Sequence, residues 1–214
     1  EAARAVGAGR RGRLTVGYMF SLGYAILPKL VPLLHRSMPD VELQFVEMSA
    51  ATCEAQVLQH KVTVGLCMPP IQRAEVANTI VGSQPLRLAV PANSSLARLT
   101  SIPMARLQDQ KMIALPSLKE DADTSMVAAL LRRHQVTVQV VERVETVHAA
   151  LALVLAGEGC AVVPACAAAG LPSGVVVRKL AGVIEGFDVA VSRRHDVDSP
   201  FIEPFIAAAR QALQ

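Results

Sequence analysis

The stretch Leu14–Val31, LTVGYMFSLGYAILPKLV, decides how this chain is built. Leu14, Thr15 and Val16 form an apolar, partly β-branched run suited to a strand. Gly17 and Tyr18 close it, a short loop holding Ser21 follows, and a helix opens around Ile26-Leu27-Pro28. Proline is tolerated in a first helical turn because its missing N–H would be unpaired there anyway. The reading is a strand whose C-terminal end meets a helix N-terminus. Such a junction offers backbone N–H donors and a partial positive charge to a small anion.

Outward from this stretch the same rhythm continues. A strand over 13–18 leads to a helix over 26–37, with Ile26, Leu27, Leu30, Val31 and Leu34 on one face. Pro39-Asp40 breaks that helix, and Val41–Glu47 alternates apolar and polar residues as a second strand. A helix near 50–60 precedes a third, largely buried strand over Val62–Met68. This βαβαβ order demands right-handed crossovers and a parallel sheet. Thr79–Val81 and Leu86–Val90 read as strands joined through Gly82-Ser83.

The second half repeats the theme. Ile113–Leu115 is a strand ending at Pro116-Ser117, a helix spans 123–134, and Val136–Val144 is a strand. A very apolar helix over 147–156, strands at Cys160–Pro164, Val175–Lys179 and Phe187–Val191, and an amphipathic helix over 201–213 complete the chain. The expected architecture is α/β: two Rossmann-like lobes joined by two crossing strands. Residues 13–86 with 190–214 form lobe I, 87–189 form lobe II, and 1–12 read as the end of a linker helix, so that the chain is expected to be part of a longer protein. Open α/β sheets bind ligands beyond the carboxyl ends of their strands, so two facing lobes predict a cleft.

Composition narrows the function classes. The chain has 214 residues, 52% of them apolar and only 3% aromatic with no Trp, which argues against a base-stacking platform for single-stranded nucleic acid. Its net charge of +3 is concentrated in Arg4, Arg10, Arg11 and Arg13 against Glu1, and the remainder carries 17 basic and 17 acidic residues. A body gripping duplex DNA would concentrate basic charge, and this one does not. The most apolar stretch, Ala149–Pro172, is interrupted by Glu158, Pro164 and glycines, unlike a membrane span of roughly 20 apolar residues. Neither a signal segment nor a membrane partner is expected, and the protein reads as cytoplasmic. Cys53, Cys67, Cys160 and Cys166 fit no zinc spacing and are expected to be buried, reduced thiols.

No enzyme signature is present, and no catalytic residue, metal or cofactor is expected. Gly7-x-Gly9-x-x-Gly12 precedes the first strand instead of following it, so it is not a dinucleotide fingerprint. His35, His60, His134, His148 and His195 are scattered, and Glu120-Asp121-x-Asp123 suits helix capping better than acid–base chemistry. What remains are loops at strand ends with small polar groups: Ser21, Ser49 with Ala50, Pro116-Ser117 and Thr146, with Met68 closing the third strand.

These residues resemble a family. Leu14-Thr15-Val16-Gly17, Ile26-Leu27-Pro28, Met38-Pro39-Asp40-Val41-Glu42-Leu43, Glu47-Met48 and Leu153–Pro164 look like the effector-binding domain of LysR-type transcriptional regulators, over about 13–213. The look is nearest to the branch controlling aromatic-compound degradation, whose effectors are muconates and benzoates. The resemblance implies a periplasmic-binding-protein type 2-like fold with a small effector, a carboxylate, held between the lobes. It implies no DNA contact except through an N-terminal helix-turn-helix, homodimers through this domain, and tetramers of the longer protein. It places effector contacts at Ser21, Leu22 and the positions of Ala50 and Met68, and together with the strand-end candidates Ser49, Leu66, Pro116, Ser117, Thr146 and Val147 these form the expected effector site. The branch usually has Thr where Ala50 stands and Arg where Met68 stands. Losing a charge-assisted donor at Met68 removes on the order of 1.5–3 kcal/mol of carboxylate recognition, which argues against muconate itself.

Two other classes share this architecture. A solute-binding protein of a transport system would need export, and an enzyme such as a dehydratase would need a Lys or carboxylate at the cleft, for which Lys119 and Asp123 are remote candidates.

Overall fold

In the computed structural model, residues 12–68, 71–115 and 126–214 are described. The chain divides into two compact units, one of residues up to Gln84 together with Phe187–Gln214, the other spanning Pro85–Gly186.

Unit 1 is built on β1 (Gly12–Met19), whose register decides the rest. β2 (Val41–Met48) runs parallel to it from Gly12↔Val41 to Met19↔Met48. On its other side β3 (Val64–Cys67) is also parallel, with Tyr18 beside Leu66. β10 (Gly186–Arg194) closes the set antiparallel to β3, Ala190 beside Cys67. The parallel pairs require crossovers, supplied by α1 (Phe20–Ser37) and α2 (Ala50–Leu58). The last helix, α5 (Ile202–Ala212), packs on α1.

The predicted start of α1 is wrong by six residues. The helix begins at Phe20 directly after β1, so Ser21 stands in its first turn, and Pro28 and Pro32 lie inside it. Leu22, Ile26, Leu30 and Leu34, four apart, are all buried. Pro28, Pro32 and Tyr24 are exposed on another face, where carbonyls left without an N–H partner can meet water. Burial of the leucine stripe overrides the local breaker signal.

The α2 face of the sheet depends on glycine. A Cβ at Gly17 would collide with Met48 Cε, and one at Gly65 would lie 3.0 Å from Val57 Cγ2. Their absence lets Met48, Cys53, Val57, Val62 and Cys67 close into one buried cluster. Within it the Cys53 and Cys67 side chains face each other, their Cα atoms 7.1 Å apart, farther than a disulfide normally spans. Spacing along the chain gives no hint of this pair, because only the docking of α2 on β3 brings the sulfurs together.

A second correction concerns residues 76–91, which form one continuous strand, β4 (Val76–Pro91), not two strands around a Gly82-Ser83 turn. Gly82 serves packing: a Cβ there would meet Leu213 side-chain atoms at 3.2 Å. β4 carries the chain from unit 1 into unit 2.

In unit 2, β4 pairs antiparallel with β8 (Ala161–Pro164) and β9 (Val175–Leu180), and the two-residue β5 (Ser101–Ile102) runs parallel to β9. β6 (Lys111–Ala114) and β7 (Gln139–Arg143) form a parallel pair with a bulge between Met112 and Ile113. α3 (Met126–Arg133) precedes β7, and α4 (Val147–Leu155) buries Ala150, Leu151 and Val154 against Ala89, Ile113, Val163 and Val175. Among the described residues no helix is long and apolar enough to cross a membrane.

Cys160 and Cys166 are free and buried. Burial pushes the Cys160 thiol up to about 11 and the Cys166 thiol up to about 12. Alkylation proceeds through the thiolate, so at pH 8 both should resist iodoacetamide in the native protein and react fully in denaturant. Peptide mass mapping checks this, and rapid native alkylation of either cysteine would contradict the burial described here.

Candidate functional site

Three strand ends meet at one edge of unit 1. Because β1, β2 and β3 are parallel, Met19, Met48 and Cys67 finish on the same side. The Met68 N–H donates to Met19 Sδ at 3.1 Å, tying the ends of β1 and β3 together. α1 begins immediately after β1, and α2 begins one residue after β2. Two helix N-termini therefore open along this edge, each with first-turn N–H groups that lack intrahelical acceptors.

The two ends are satisfied differently. Ser49 caps α2: its hydroxyl accepts from the Thr52 N–H at 3.2 Å, while Thr52 Oγ1 accepts from the Ser49 N–H at 3.0 Å. The hydroxyls of Ser49 and Thr52 are themselves 3.1 Å apart. This reciprocal box engages the Ser49 side chain within the protein. At α1 the N-cap residue is Met19, which provides no side-chain bond. Ser21 is half-buried in that first turn, and among the described residues its hydroxyl has no hydrogen-bond partner. Of the two helix ends at this edge, that of α1 has no side-chain cap.

The other unit 1 residues predicted for the site divide by burial. Leu22 and Leu66 are fully buried at 0% exposure, so only their backbone can meet a ligand. Met68 is also buried, an apolar side chain whose N–H is already engaged. Ala50 is the first residue of α2.

Unit 2 carries its own strand-end edge. β6 and β7 are parallel with Ala114 beside Arg143, and the Val144 N–H donates to the Ala114 carbonyl at 2.9 Å. Thr146 follows as the exposed N-cap of α4, its hydroxyl accepting from the Ala149 N–H at 3.2 Å, and Val147 is the first helical residue. Pro116 and Ser117, which follow Leu115 at the end of β6, lie outside the described residues, as do Lys119, Asp123 and the acidic cluster around them. Among the described residues no three His, Cys, Asp or Glu side chains gather as metal ligands would.

Sequence reasoning missed Met19, Phe20 and Thr52. Pro28 points to a later helix start, which leaves Met19 and Phe20 in a loop, whereas they are the cap and first residue of α1. The Ser49-x-x-Thr52 spacing was a visible capping signal.

A family model described as the LysR substrate binding domain matches residues 7–214. The chain is 29% identical over 167 residues to the probable cat1 operon transcriptional activator of Acinetobacter lwoffii, covering 78% of this chain and 55% of that protein. It is 29% identical over 213 residues to the HTH-type transcriptional regulator TdfR of Cupriavidus pinatubonensis, covering 99% of this chain and 72% of that protein. Among solved structures, full-length CbnR complexed with its target DNA aligns with a TM-score of 0.82 at 23% identity, over 100% of this chain and 72% of that one. The BenM effector binding domain with benzoate aligns with a TM-score of 0.75 at 21% identity, over 94% of this chain and 91% of that one. The shared fold is the bilobed, periplasmic-binding-protein-like fold of such domains.

Proposed function

The chain belongs to the LysR substrate-binding domain family, and on that premise we propose that it is an effector-sensing domain whose small carboxylate ligand is received by the first turn of α1. The observation that carries this reading is the N-terminus of α1, whose cap residue makes no side-chain hydrogen bond, with a Ser21 hydroxyl that has no partner among the described residues. A carboxylate accepts from first-turn N–H groups, gains from the partial positive charge of the helix end, and accepts once more from Ser21. Ser49 supports the neighbouring helix end instead of binding directly, since its hydroxyl is held by Thr52. In unit 2, Thr146 and Val147 are proposed contacts of the same kind, as are Pro116 and Ser117.

The relatives are longer transcriptional regulators, and recognition of DNA is proposed to rest with their additional segments, because beyond Arg13 this chain carries 17 basic and 17 acidic residues and no net charge. A ligand favouring one conformational state shifts the population toward it by its differential affinity. We propose that this shift is read out through homodimers of this domain, tetramers of the longer protein, in the cytoplasm. Neither an exported solute-binding role nor catalysis draws support from the relatives, which are regulators.

The test is a thermal-shift screen against small aromatic and aliphatic carboxylates. A ligand that binds only the folded form raises the melting temperature by mass action. Ser21→Ala removes one net hydrogen bond of about 1 kcal/mol and should weaken affinity roughly fivefold. An unchanged affinity in that variant takes Ser21 out of the site.

A further inference from the structure

Unit 2 contains a cavity of about 440 Å³, lined among others by Arg87, Thr100, Ala165, Val177, Arg178 and Lys179. The register explains its charge. Arg87 and Lys179 stand directly opposite each other across the antiparallel pair β4–β9, in the same stripe as Ala89↔Val177 and Pro91↔Val175. That stripe begins in the buried core beneath α4 and ends in two cations. Like charges directly opposite on a sheet repel, which destabilises the pair.

Four arginines elsewhere have carboxylate partners, whereas Arg193, among the described residues, meets only the carbonyls of Arg194 and Val197. Arg13 meets Glu42, Arg73 meets Glu54, Arg133 meets Glu185, and Arg194 meets Asp196. Among the described residues, none of the three cations at this cavity has one. Arg87 Nη1 donates to the Leu86 carbonyl at 2.9 Å, which holds the guanidinium against the sheet and leaves Nε and Nη2 without partners. Arg178 donates from Nε to the Ala97 carbonyl at 3.0 Å and from Nη1 to the Val177 carbonyl at 3.2 Å, leaving Nη2. The backbone thus positions two guanidinium groups without neutralising either. Thr100 adds a hydroxyl at the wall, and Ala165 leaves the space open.

We propose that this cavity binds a small dianionic oxyanion, an inorganic phosphate or the phosphate of a phosphomonoester, as a second ligand site in unit 2. A dianion matches Arg87 and Lys179 in charge, and its several oxygens can accept from the Arg87 fork, the Lys179 ammonium and Thr100 together. A monocarboxylate offers half the charge and fewer acceptors. The site shares no residue with the α1 edge.

The test is calorimetric and thermal titration of the purified domain in low-salt zwitterionic buffer with inorganic phosphate, with glycerol 3-phosphate, and with sodium chloride at matched ionic strength. Saturable stabilisation by phosphate or the phosphomonoester, beyond the chloride control, is expected. Arg87→Gln should weaken it at least tenfold. Lys179→Glu should place a carboxylate opposite Arg87, raise the melting temperature in low salt, and remove the phosphate response. Lys179 is exposed, so this variant should fold. At least tenfold tighter binding of glycerol 3-phosphate assigns the site to an organic phosphate, and equal binding assigns it to the inorganic anion. A response that chloride reproduces, or that survives Lys179→Glu unchanged, overturns the proposal.

Discussion

Phe205→Ala should destabilise unit 1 by about 3–5 kcal/mol, the range for emptying a buried aromatic site. Phe205 is fully buried at 0% exposure, on a helix whose inner face also buries Ile202, Ile206, Ala209 and Ala212. Its partner helix α1 presents Leu22, Ile26, Leu30 and Leu34. Both helices are amphipathic, and their stability comes from docking rather than from local propensity, since α1 carries two internal prolines. Truncating the largest side chain of α5 removes hydrophobic burial and leaves a void that close-packed neighbours fill only in part. Urea unfolding should show a lower midpoint with an unchanged slope. Ala207→Gln, at an exposed position of the same helix, should stay within about 0.5 kcal/mol. A loss below about 1 kcal/mol for Phe205→Ala would mean that α5 does not supply the core assigned to it here.

The same residues show how much of the molecule could be read before its structure was known. The β–α alternation was legible because its signals are local and periodic: Leu14 and Val16 on one strand face, Leu30 and Leu34 four apart on a helix. Thr146 directly precedes the apolar helical run at 147–156, and a cap there needs only a bond three residues onward, which its hydroxyl makes by accepting from the Ala149 N–H. The failures in the fold depend on how elements pack, which no local signal encodes. Pro28 predicts a helix start wherever no tertiary burial opposes it, and here the stripe from Leu22 to Leu34 does. Gly82-Ser83 predicts a turn unless something packs on the glycine, and Leu213 does. That Cys53 and Cys67 face each other follows only from how α2 lies on β3.

The site was legible to the same depth. Parallel strands put Ser21, Ser49 and Met68 at one edge, and that much follows from the βαβαβ order. Which serine remains available does not follow from it, because that depends on caps. Ser49 closes a box with Thr52, while Ser21 stands second in a helix whose cap residue is methionine. A loop placement gives Ser21 no helix dipole, whereas its place in the first turn of α1 puts its hydroxyl at the positive end of a helix.

That place yields the sharpest functional prediction: Ser21→Asp should abolish the response to every carboxylate ligand while leaving the fold intact. An aspartate in the first turn of α1 lies where the helix dipole favours negative charge, by typically 0.3–1 kcal/mol. Its carboxylate can accept from the same N–H groups that are proposed to receive the effector, so the variant carries its own anion. A second carboxylate brought within about 4 Å meets repulsion of about 4 kcal/mol at the effective dielectric of a site near the surface. Affinity should fall by more than 100-fold, with a melting temperature equal to or slightly above that of the parent chain. Ser21→Asn, of similar size and uncharged, should keep a measurable part of the response, separating charge from bulk. Calorimetric titration with whichever carboxylate the screen selects, run on all three proteins, checks this. If Ser21→Asp binds as tightly as the parent, the α1 N-terminus is not where the effector's charge is held.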